Sequence, residues 1–207
     1  MVRKQNENYF DILVMLMEYS CHAASLLNDL MNSYNVDLLQ ESMQRVYDSE
    51  LCVQKERTII IEKLLNEFVT PIEREDIIIL TNSLYNIHYA IGGVIKQLFA
   101  LDIRKIKGYA KEMTQTIEKC CTILKQIFVE LQNYKKSRFL HDLIQKVYCY
   151  NEECGKTFIE AVRDLHINTR NVVESSSWYQ TYLSLKQSCD ECQRAAKAVE
   201  YVVLKNI

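Results

Sequence analysis

The stretch NEFVTPIEREDIIIL, residues 66–80, decides how this chain folds. It holds the only proline of 207 residues, Pro71, set among Glu67, Glu73, Arg74, Glu75 and Asp76. It reads either as an acidic active site or as a corner between two helices. Local chemistry supports the corner. Thr70 suits an N-cap, because its hydroxyl can accept from a first-turn N–H. Pro71 suits the first helical position, where its missing N–H costs nothing. Glu73, three residues after Thr70, completes a capping box. Glu75 and Asp76 then face the positive end of the helix dipole. Arg74, Glu75 and Asp76 exceed what a cap requires, so they are candidates for a surface or inter-helix network.

Beyond the corner the apolar residues recur at steps of three and four: Ile77, Leu80, Leu84, Ile87, Ile91, Val94, Leu98. Such a stripe marks an amphipathic helix with one packed face. The same spacing runs through Phe10, Leu13, Met17, Ala24, Leu27 and Met31. It returns in Ile106, Ala110, Met113, Ile117, Cys120, Leu124, Ile127 and Leu131, and in Tyr182, Leu185, Cys189, Cys192, Ala196, Val199 and Val203. Six helices are predicted, over 7–33, 37–68, 71–100, 103–134, 137–166 and 174–205, with breaks at NSYNVD, Thr70-Pro71, ALDIRK, NYKKSR and NTRNVVESSS. One proline and four glycines leave few helix breakers. Long antiparallel helices on short links make bundles. The expectation is an all-α protein of two tandem three-helix bundles, 1–101 and 102–207.

Composition narrows the function. The net charge is −2 and the basic residues are dispersed, so no phosphate-backbone stripe points to nucleic acid. No run of about 18 uncharged apolar residues suggests a membrane-spanning helix, and MVRKQNENYF lacks a leader-like apolar stretch. A cytoplasmic location is expected. There the eight cysteines stay reduced. Cys189 and Cys192 have zinc-like spacing, but a second such pair is missing and both lie on an apolar seam, where cysteine packs as a small hydrophobe. His22, His88, His141 and His166 form no zinc-spaced cluster, and no nucleophile–base pairing is visible, so no catalytic residue is assigned. Gly92-Gly93 lies mid-helix and marks close helix packing instead of a phosphate-cradling loop. A ferritin-like di-iron bundle would need Glu-x-x-His, which is absent.

Two seams carry polar residues. The second helix reads Leu39, Met43, Val46, Glu50, Val53, Arg57, Ile60, Leu64, and the fifth reads Leu140, Ile144, Val147, Asn151, Cys154, Phe158, Ala161, Leu165. Buried charge is costly unless paired or bound. Glu50 and Arg57 therefore either neutralise partners on neighbouring helices or line a functional groove.

FVTPIEREDI resembles the F-x-TP-x-x-REDI corner of PhoU-like phosphate transport regulators, in the branch associated with Pit-type inorganic phosphate permeases. CDECQRAAKAVEYVVLKN is similar to that branch's last helix. The resemblance implies two three-helix bundles side by side. It also implies acid-x-x-x-Asp motifs on the inner helices, where carboxylates one turn apart hold iron or zinc clusters. In this chain those positions fall on Glu50 and Gln54, on Asn151 and Gly155, and on Lys186 and Asp190, and the family's L-D-D-x-x-D pattern in the third helix falls on Leu84, Tyr85, Asn86 and Tyr89. Only Glu50 and Asp190 keep an acid. Lys186 and Asp190, one turn apart, can pair for a few tenths of a kcal/mol if exposed.

The resemblance thus implies a non-enzymatic cytoplasmic regulator of phosphate transport, without a metal cofactor. It would act by contact with a membrane phosphate permease or a signalling partner, and so lie at the membrane only through that partner. Arg57, Arg74, Glu75, Asp76 and Lys186 are the candidate network or interaction residues. The alternatives are a metal-binding helical bundle and a structural scaffold that forms a homodimer through an apolar flank, an interface that the thirteen tyrosines could serve.

Overall fold

The structure is a computed structural model that describes residues 8–206. The expectation drawn from residues 1–10, and the outer end of the first segment, fall partly outside the described residues. Six helices form: α1 Tyr9–Asn32, α2 Leu39–Asn66, α3 Arg74–Ala100, α4 Gly108–Leu131, α5 Leu140–Asn168 and α6 Val172–Asn206. A 3-10 turn, Val36–Leu38, leads into α2, with Asn35 accepting from the Asp37 amide at 2.9 Å.

The predicted stripes are the buried faces. Ile77, Leu80, Leu84, Ile87, Ile91, Val94 and Leu98 are all without solvent exposure. Helices α1, α2 and α3 pack on one another, as do α4, α5 and α6; α1 against α4 and α3 against α6 join the two bundles. The apolar side chains form one continuous core. Polar contacts reinforce the α1–α4 joint: Asn28 Nδ2 donates to Glu118 at 2.7 Å, and Lys125 pairs with Glu18 at 2.9 Å.

Helix α1 is the most apolar element, with a mean hydropathy of 1.3 over its best 18-residue window. By length and composition alone it could cross a membrane, although Asp11, Glu18 and Asp29 interrupt its apolar run. Its place in the fold accounts for that apolarity, since it contacts α2, α3 and α4 and spends its leucines on the core.

The corner departs from the capping-box expectation. Helix α3 starts at Arg74, three residues beyond Pro71, and Glu73 takes the N-cap position without a side-chain cap bond. Thr70 Oγ1 donates to the Ile72 carbonyl at 2.7 Å instead of accepting from a helical amide. The reason lies in Ile72, which is buried and pins the connector to the core before the helix begins. Glu73 is then free to meet Lys205 Nζ at 2.5 Å, and a charge-assisted contact is stronger than a return bond to a neutral amide.

The other end of α3 closes in a Schellman turn. Ile103 N donates to Leu98 O at 3.0 Å and Asp102 N to Phe99 O at 3.1 Å. Asp102 has φ 45°, the left-handed conformation usually left to glycine or asparagine. Buried Ile103 supplies the apolar contact that accompanies such a turn.

Candidate functional site

The charged residue in the α2 seam has its partner on α3. Glu50 is buried, and Lys96 Nζ lies 2.6 and 2.7 Å from its two carboxylate oxygens. The same ammonium sits over the ring of Tyr47 at 4.6 Å and that of Tyr89 at 5.5 Å. Tyr85 stacks on Tyr89 with centroids 4.5 Å apart. Two turns along α2, Arg57 donates to Asn82 Oδ1 at 3.1 Å and lies over the Tyr85 ring at 5.5 Å. The α2–α3 face is therefore a tyrosine wall with two cations laid on it. The ring faces are negative and attract cations.

Gly92 makes this approach possible. A Cβ at that position would lie 2.7 Å from Val46 Cγ1 and 3.2 Å from Glu50 Oε1. Helix α2 thus rests against bare α3 backbone at the point where Glu50 enters. Gly93, read as its companion, has open space within 4 Å of a built Cβ and plays no such part.

The second bundle answers at a spacing of 101 residues. Tyr47 corresponds to Tyr148, Glu50 to Asn151, Leu84 to Leu185 and Lys96 to Lys197, and Lys197 lies over the Tyr148 ring at 6.0 Å as Lys96 lies over Tyr47. The charge has moved, however. Asn151 Nδ2 donates to Asp190 Oδ1 at 2.8 Å, and the same oxygen accepts from Lys186, one turn earlier on α6. Gly155, next to Cys154, faces the stem of Lys186, whose Cε lies 3.5 Å from a built Cβ.

At the corner, Arg74 donates to the Glu67 carbonyl, closing the connector on itself. Asp76 is fully buried and receives Lys205 Nζ at 3.2 Å and Asn206 Nδ2 at 3.1 Å, tying the start of α3 to the end of α6. Glu75 is exposed and stands apart from this joint. Of the five residues proposed as a network, Arg57 belongs to the tyrosine wall, Arg74 and Asp76 to the corner, and Lys186 to the Asp190 cluster; they are not one site.

Two features escape sequence reasoning. Lys96 is the partner of Glu50, and only its placement two turns from Tyr89 hints at this. His88 sits fully buried on α3. Burial pushes its pKa down to about 4, against an opposing effect of the Tyr19 backbone. The ring is therefore neutral at pH 7.

The open grooves carry little constraint. A groove of about 430 Å³ between α1 and α2 is lined by His22, Asp29, Glu41 and Arg45, all solvent-exposed. Among the described residues, no group of three or more His, Cys, Asp and Glu side chains is arranged to hold a metal ion.

No family model matches the chain. The UPF0111 protein YkaA of Bacillus subtilis (strain 168) is 27% identical over 155 residues, covering 72% of either chain. Among solved structures, a PhoU-like protein from Shewanella oneidensis MR-1 superposes with a TM-score of 0.83 and 16% identity, covering 96% of this chain and 100% of its own. A second protein of that organism, named for a PhoU-like phosphate regulatory role, gives 0.81 at 16% identity over 97% of this chain and 100% of its own. The all-α architecture of six helices in two three-helix bundles is thus the PhoU-like fold.

Proposed function

We propose that this chain is a non-enzymatic, cytoplasmic regulator of inorganic phosphate transport that works by contact with a membrane phosphate permease or a signalling partner. The observation that carries the reading is the full-length match to the PhoU-like fold, joined to the FVTPIEREDI corner. The resemblance of that corner to the branch beside Pit-type permeases selects such a permease as the first partner to test. Deleting the gene and measuring phosphate uptake at low and high phosphate tests the reading, with co-purification of the neighbouring permease. Unchanged uptake together with no co-purification overturns it.

We also infer that the chain does without the iron or zinc clusters of the acidic motifs. Of the positions that would carry ligands, α3 offers Tyr85, Asn86 and Tyr89. The two remaining acids are each held by a lysine, Glu50 by Lys96 and Asp190 by Lys186. A multinuclear cation cluster needs several free carboxylates to balance its charge, and this donor set does not fit one. The ammonium of Lys96, chelated by both Glu50 oxygens and capped by two rings, supplies a fixed internal cation instead. Elemental analysis of protein purified without a metal-affinity tag should find iron and zinc far below one per chain, and stoichiometric metal refutes the inference.

A further inference from the structure

Five of the eight cysteines gather in one buried layer of the second bundle: Cys120 and Cys121 on α4, Cys154 on α5, and Cys189 and Cys192 on α6. The Sγ atoms of Cys120 and Cys189 are 3.8 Å apart, and those of Cys121 and Cys192 are 4.0 Å apart. Packing alone does not call for sulfur here. In the first bundle the residues 101 positions before Cys154, Cys189 and Cys192 are Val53, His88 and Ile91, and they fill the matching buried positions.

The thiols are not equivalent. Cys189 lies between Cys120 and Cys154, and their hydrogen bonds hold its thiol below the ordinary value against the effect of burial; Lys186, three residues back on α6, acts in the same direction. Cys120 is shifted upward and keeps its proton. A thiol that shares a hydrogen bond with a sulfur 3.8 Å away, with a lysine one turn back, can give up its proton while its neighbour keeps one, which is the division of labour in a peroxide-reactive pair. The stem of Lys186 lies against Gly155, beside Cys154, with its Cε 3.5 Å from a built Cβ.

We propose that Cys120 and Cys189 are a redox-active dithiol, oxidised by hydroperoxides to a disulfide that joins α4 to α6. The Cys189 thiolate attacks the peroxide O–O bond, forming sulfenic acid and releasing hydroxide, which takes up the proton that Cys189 lost. The Cys120 sulfur then attacks the sulfenic sulfur, the S–O bond breaks, and water leaves with the Cys120 proton. Two thiols lose two electrons and two protons, and hydrogen peroxide becomes two waters. The sulfurs need to close by less than 2 Å to reach the roughly 2.05 Å of a disulfide bond.

The test uses the whole chain with its more accessible thiols removed as C52S/C149S, fully reduced and then treated with hydrogen peroxide. After quenching with an alkylating agent in denaturant, intact mass and non-reducing peptide mapping identify the product. The expected product is a monomer lighter by two hydrogens, carrying a Cys120–Cys189 link that dithiothreitol reverses. In C120S and C189S the oxidation rate should fall at least about tenfold, while C121S should change it less than about twofold. Oxidation of protein unfolded in urea should scatter the pairing toward near neighbours in sequence, so selection of Cys120–Cys189 in the folded protein is readable even if a serine variant fails to fold. Full alkylation of all buried thiols, a dominant Cys121–Cys192 link, or Cys189 stopping as sulfinic acid each overturns the proposal.

Discussion

Asp76, at the start of α3, is fully buried and accepts from Lys205 and Asn206, at the end of α6. The contact spans 129 positions and joins the corner of the first bundle to the last turn of the second. It places a carboxylate at a helix N-terminus and an ammonium at a helix C-terminus, so both dipoles favour it.

Replacing that carboxylate should cost more than a surface charge would. In D76A the donors of Lys205 and Asn206 lose a buried acceptor, and a hydrogen bond to a charged group contributes about 1.5–3 kcal/mol. Urea unfolding should show a loss of about 2 kcal/mol for D76A, and E75A, at an exposed neighbour, should stay within about 0.5 kcal/mol of the parent.

The Glu50–Lys96 pair has an asymmetric cost. K96M leaves a buried carboxylate without its cation, which should destabilise by about 3 kcal/mol. The double variant E50L/K96M removes the charge from the seam altogether and should recover at least half of that loss. A double-mutant cycle by denaturant unfolding measures it. A double variant that loses as much as K96M alone would show that the unpaired Glu50 charge is not what K96M costs.

The adjacent glycines should respond with opposite signs. G92A drives a methyl against Val46 and Glu50, and Val46 is β-branched with little rotamer freedom. It should lose about 1–3 kcal/mol. G93A meets open space and should gain roughly 0.5–1 kcal/mol from helix propensity. Thermal unfolding midpoints of the two variants decide this.

His88 predicts an acid-sensitive fold. Its folded pKa of about 4 lies below the ordinary 6.5, so between those values the unfolded chain binds the proton that the native state refuses. Stability is therefore intact above about pH 6.5, falls as the pH drops toward 4, and loses about 3 kcal/mol from this group across the window. In H88L that slope should disappear between pH 6.5 and 4.5, leaving only the carboxylate contributions. Parallel slopes in parent and variant would remove His88 from the account.

The architecture was legible because it depends on periodicity, which a single sequence carries openly. The spacing from Ile77 to Leu98 named the buried face of α3 residue by residue. The seam anomaly at Glu50 was legible too, as a charge where a hydrophobe belongs. Its partner was not, because Lys96 reaches it across two helices whose register is set by Gly92 against Val46. The cap at Thr70 misled because its pattern is local, whereas the start of α3 is fixed by Ile72 in the core and by Lys205 at the far end of the chain. The thiol layer was half legible: Cys189 and Cys192 lay on a seam in sequence, but the approach of Cys120 and Cys154 is a property of three helices at once.

The spacing of 101 residues carries a consequence for recognition. Two bundles that had stayed alike would offer the same face twice, and a docking partner could engage either way round. Here one flank buries the Glu50–Lys96 pair against tyrosine rings, and the other holds the Asn151–Asp190–Lys186 cluster. The molecule has a head and a tail despite its near-repeating build, so whatever binds along its length can read direction from it.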